Sequence, residues 1–108
     1  MTYVNAFSFK SERSLPEMVA VLRGLGTWRW LERDNDRWGE YISASALPDP
    51  DWGIVKIFVE PDHFAINIVL ESVHADAQTR FDAALDTIYK VVLPAIDARE
   101  ITETDTYE

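Results

Sequence analysis

Gly53-Ile54-Val55-Lys56-Ile57-Phe58-Val59-Glu60-Pro61-Asp62-His63-Phe64-Ala65-Ile66-Asn67-Ile68-Val69-Leu70-Glu71 reads as two β-prone runs on either side of a tight turn. Val, Ile and Phe suit a pleated surface and Pro61-Asp62 suits a turn, so residues 53–60 and 63–71 are predicted to form a hairpin. Side chains alternate between faces, which predicts Val55, Ile57 and Val59 in a core with Phe64, Ile66, Ile68 and Leu70. The opposite face then carries Ile54, Lys56, Phe58, Asn67 and Val69. That face is too apolar for ordinary exposure; sheet curvature, a second copy of the chain, a partner or a ligand are its candidate covers.

Upstream, residues 3–10 alternate as a strand with Phe7 and Phe9 inward. Ser14-Leu15-Pro16-Glu17 has the spacing of a capping box, with proline in the first turn where its missing N–H costs nothing. The stripe Leu15, Met18, Val19, Leu22, Leu25 predicts an amphipathic helix, ended by left-handed Gly24 and Gly26. Residues 27–33 alternate again and lead through Asp34-Asn35-Asp36 to a strand-like stretch over 38–46, a second hairpin. Leu47-Pro48-Asp49-Pro50-Asp51 is predicted as a surface loop, since two prolines cannot donate to a ladder. Downstream, Asp76 is the expected cap of a helix with the stripe Phe81, Ala84, Leu85, Ile88, Val92, ended near Pro94.

The order β-α-β-β-β-β-α predicts an α+β fold, a single mostly antiparallel sheet of about five strands with two helices packed on one face. Residues 1–96 form the expected domain, and 97–108 an acidic tail with Ile101-Thr102 as a candidate short last strand. At 108 residues one core is expected. Apolar residues make up 47% and include four tryptophans, enough to offset the entropy of ordering the chain. With no cysteine, disulfides, thiolate metal sites and cysteine nucleophiles are excluded. The start, Met1-Thr2-Tyr3-Val4-Asn5, lacks a basic region followed by an apolar stretch, and a cytoplasmic protein is expected.

The net charge of −9 is unevenly spread. Residues 1–46 hold six acids and six bases, whereas 47–108 hold thirteen acids and four bases. Such a field repels nucleic-acid phosphates and anionic lipid and speeds encounter with a basic partner.

Catalytic and metal motifs fail one by one. His74-Ala75-Asp76 and His63 have no further ligand spaced to complete a site. Asp34-Asn35-Asp36-Arg37-Trp38-Gly39 starts like a calcium loop, but Trp38 fills the fifth position and Ser45 the twelfth, where a bidentate glutamate is needed. Gly24 and Gly26 follow a helix and form no phosphate cradle. Ser43 and Ser45 lie in a strand without a nucleophile-elbow pattern. No catalytic set, metal site or cofactor is therefore assigned.

Trp28, Trp30, Trp38, Tyr41 and Trp52 fall within 25 residues and are candidates for one aromatic patch beside the exposed Asp49 and Asp51. The expected function is a non-catalytic acidic binding module that docks a basic protein partner, like an inhibitor or immunity-type protein. The alternative is a small-molecule-binding domain, dimeric or not, using the open sheet face, and a small enzyme ranks third.

Overall fold

The computed structural model describes residues 2–26, 28–35, 39–47, 52–71 and 75–104. The central hairpin forms as β4 (Trp52–Val59) and β5 (Phe64–Glu71) in antiparallel register, with Ile57 opposite Ile66 and Val55 opposite Ile68. The other strands are β1 (Thr2–Lys10), β2 (Trp30–Asn35), β3 (Gly39–Leu47) and β6 (Arg99–Thr104). They form one antiparallel sheet in the order β2-β3-β4-β5-β1-β6. The α+β fold is as expected, with six strands in place of five: the tail supplies the sixth, pairing with β1 through a register shift between Ser8 and Lys10. A polar segment can do this because the ladder uses backbone groups, and all six of its residues stay exposed. Asp97 and Glu100 around its start hold φ of 53° and 51°.

Both helices cover the same face, α1 against β2 and β3 and the second helix against β5. Helix α1 (Leu15–Arg23) starts as its sequence dictates: Ser14 Oγ accepts from the Glu17 N–H at 3.4 Å, and Glu17 Oε1 accepts from the Ser14 N–H at 2.9 Å. The Ser14 backbone N–H first, and then the Ser14 hydroxyl, which donates to the same Oε1 at 3.0 Å, hold the Glu17 carboxyl below its usual range. Leu15, Met18, Val19 and Leu22 are buried as predicted. Leu25 is 38% exposed, because the helix stops at Arg23 and its stripe ends with it. Gly24 caps the helix in right-handed geometry, and only Gly26 is left-handed (φ 70°).

The second helix differs more from expectation. Asp76 precedes α2 (Ala77–Thr87) without a side-chain cap, since its φ, ψ of −93°, 16° are not extended and its Oδ2 accepts from Arg80 Nε at 3.1 Å. The helical run ends at Ala95, near Pro94 as expected, but not as one uniform α-helix. The backbone widens into a π-turn (Ile88–Val92) and runs into α3 (Leu93–Ala95), with Leu93 N–H donating to the Ile88 carbonyl. The wider turn accommodates a proline that lacks a donor and crowds the carbonyl behind it.

The core lies between this helical layer and the sheet: Phe7, Phe9, Ile42, Val55, Ile57, Ile66, Ile68 and Leu70 meet Met18, Leu22, Phe81, Ile88 and Val92. Leu85 is only partly buried. Val59, predicted inside, is 54% exposed; it faces the helical side but sits at the turn end of the hairpin, in a surface recess with Pro61 and His63.

Candidate functional site: the helix-free face of the sheet

The opposite face of the sheet is covered by no helix among the described residues. Strand pairing arranges its side chains in three cross-strand rows. One runs Arg33, Tyr41, Phe58, Ala65, Ser8, Thr102. The middle row runs Leu31, Ser43, Lys56, Asn67, Ala6, Thr104. The third runs Ser45, Ile54, Val69, Val4. Phe58 is only 7% exposed here, shielded in part by the Tyr41 ring at 5.3 Å, and Lys56 Nζ lies 5.7 Å from the Tyr41 centroid. As the sequence predicts, Ile54, Lys56, Phe58, Asn67 and Val69 all lie on this face.

These three rows contain no carboxylate, although the chain carries nineteen; in the next pairing Glu71, opposite Thr2 and Trp52 and in phase with Val69, places one on the same face at its far end. The described acids of the second half sit before and on α2 (Asp76, Asp82, Asp86), before and on β6 (Asp97, Glu100, Glu103), at the hairpin turn (Glu60, Asp62) and at the end of β5 (Glu71). Several are engaged in surface pairs: Asp76 with Arg80, Asp86 with Lys90, Asp97 with Arg13 and Glu100 with Lys10.

The aromatic candidates divide between the two faces. Trp30 is in the core under α1, 1% exposed, and Trp28 packs against it at 6.0 Å on the same side. Tyr41 lies on the helix-free face. Trp52 opens β4 with its backbone opposite Glu71. Trp38, Asp49 and Asp51 lie outside the described residues. The sheet thus separates Trp28 and Trp30 from Tyr41. The sequence reading did not pair Tyr41 with Phe58, whose neighbourhood follows from the β3–β4 register.

Two recesses lie at the turn end of the sheet. One, of about 200 Å³, is lined by Leu15, Glu32, Arg33, Asp34, Glu40 and Tyr41 among others. The second, of about 350 Å³, includes Lys10, Val59, Asp62, His63, Phe64 and Arg99. In it His63 Nδ1 lies 2.6 Å from Asp62 Oδ1, and this hydrogen bond draws the Asp62 carboxyl below its usual range. His74 lies outside the described residues. Among those described, no three His, Asp or Glu side chains gather into a metal-holding group, and no helix is long and apolar enough to cross a membrane. On the helical side Tyr89 packs edge-on against Phe7 at 5.0 Å; burial, and then Glu103, push its phenol pKa up.

No protein-family model matches the chain, and comparison with curated proteins gives no match.

Proposed function

We propose that this chain is a non-catalytic acidic binding module that docks a basic protein partner, in the manner of an inhibitor or immunity-type protein. The observation that carries this reading is the segregation of charge: the acid excess belongs to residues 47–108, and its described members lie on the helices, turns and edges, outside the three rows of the sheet face. An acidic surface of this kind attracts a basic protein during encounter and raises its association rate. A second reading, a small-molecule site on the helix-free face, is favoured by the Tyr41–Phe58 pair with Lys56 beside it.

A salt series separates the two readings. A partner captured from native lysate and then purified should associate more slowly as ionic strength rises, whereas an apolar ligand responds little. Replacing Asp49 and Asp51 with lysine should slow association and flatten its salt dependence while moving stability by less than about 0.5 kcal/mol. His63→Ala and His74→Ala should leave binding intact. Association that is indifferent to salt and to the lysine variant would sink the proposal.

A further inference from the structure

Strand β6 lies at an edge of the sheet, against β1, and no residue of it belongs to the core. Among the described residues its ties beyond the backbone ladder are two ion pairs between exposed side chains, Arg99 with Glu12 at 3.4 Å and Lys10 with Glu100 at 3.7 Å, which contribute little. The ladder itself is imperfect. Ser8 pairs with Thr102 and Lys10 with Arg99, so Glu100 and Ile101 stand against Phe9 alone, a bulge in which Glu100 holds φ 51° where glycine is the usual residue. The hinge before β6 is short. Ile96 is buried and Arg99 starts the strand, which leaves Asp97 and Ala98 to turn the chain. That turn closes on left-handed Asp97 (φ 53°), whose N–H donates to the Pro94 carbonyl while the Ala98 N–H donates to that of Leu93. Glycine most often fills such a position after a helix. A short hinge strained in its closed form is relieved by straightening, and a terminal strand that packs through its backbone leaves the core intact when it departs. We infer that β6 exchanges between two copies of this chain, each strand pairing with β1 of the other about a twofold axis.

Identity of sequence selects a second copy as the donor. Its β6 makes the same ladder with β1, bulge included, and the same Arg99–Glu12 and Lys10–Glu100 pairs, so the closed and exchanged forms differ chiefly at the hinge. In the closed chain Asp97 is held left-handed; in the exchanged pair it is extended, where a residue with a Cβ is unstrained. Costs oppose this gain. Asp97 gives up its ion pair with Arg13 at 2.8 Å and the turn its two hydrogen bonds, and two chains of −9 come together. The chain's own β6 also competes at an effective concentration of the order of 1 mM, so exchange belongs to concentrated protein and to hinge variants that resist the left-handed form. The inference is independent of the proposed basic partner, because exchange alters neither the helices nor the charge that they carry.

Sedimentation equilibrium and single-thiol crosslinking on the full chain test it. Asp97→Pro fixes φ at about −65° and removes the N–H that closes the turn, so it should dimerise at least about tenfold more tightly than the wild type. At about 100 μM its mass should approach twice 12.4 kDa. Asp97→Gly, unstrained at φ 53°, should shift toward the monomer. Truncation after Ala98 removes the exchanging strand and should abolish the dimer, with Asp97→Pro or without it. A second measure does not require Asp97→Pro to fold. Because the chain has no cysteine, Ser8→Cys and Thr102→Cys each carry one thiol, at positions opposite one another in the β1–β6 ladder. Incubated together at about 1 mM, then diluted and oxidised, the two variants should join into a mixed covalent dimer in several times the yield of either alone. A folded Asp97→Pro chain that remains a monomer, a dimer that survives the loss of β6, or mixed thiols that join no better than either variant alone would each overturn the inference.

Discussion

Trp30 is the largest fully buried side chain, and among buried side-chain polar atoms of the described residues its indole Nε1 is the one without a hydrogen-bond partner. An orphaned buried donor costs about 1 to 3 kcal/mol, which offsets part of what the ring contributes through burial. Trp30→Phe removes that donor along with some volume, so it should change stability by less than about 1.5 kcal/mol in urea unfolding, whereas Trp30→Ala should cost about 3 to 5 kcal/mol. A Phe variant as damaging as the Ala variant would mean that the N–H is satisfied in solution. The sequence shows why this ring is hard to place. Trp28, Trp30 and Tyr41 are close in the chain, but strand parity puts Trp30 opposite Ala44 on the helical side and Tyr41 opposite Phe58 on the other. Face assignment across a hairpin needs the register, which depends on turn length as well as alternation.

At the scale of elements, legibility follows the strength of the local signal. The Ser14 box and the alternation of residues 53–71 place α1, β4 and β5 within a residue or two because caps and period-two burial act locally. The π-turn before Pro94 escaped, since it depends on how a helix relaxes around proline; Ile101-Thr102 was legible as a candidate last strand, but the extent of β6 and its place beside β1 depend on backbone pairing with a strand far off in sequence. All six residues of β6 are exposed, and Lys10–Glu100 at 3.7 Å is a surface pair of small worth. Truncation after Ala98 should therefore lower stability by less than about 2 kcal/mol, and amides of β6 should exchange with solvent well ahead of those in β5. A larger loss would make β6 a structural member of the sheet and not an edging.

For the whole molecule, the charge asymmetry is plain from the sequence, but the make-up of the helix-free face is not. It appears only when β1, from the start of the chain, is set between β5 and β6. Screening weakens attraction to a basic protein, so between about 0.05 and 0.5 M salt partner association should slow, which stopped-flow measurements across one salt series would show.

The position of β1 also governs how the chain reaches this state. It is made before both of its neighbours, β5 and β6, and the Ser11 hydroxyl that follows it donates to the Ile96 carbonyl, 85 residues away. During synthesis β1 leaves the ribosome with both edges unpaired, and the sheet cannot close around it until most of the chain has emerged. Such long-range pairing is expected to place folding in the slower, millisecond-to-second regime, which stopped-flow refolding would measure.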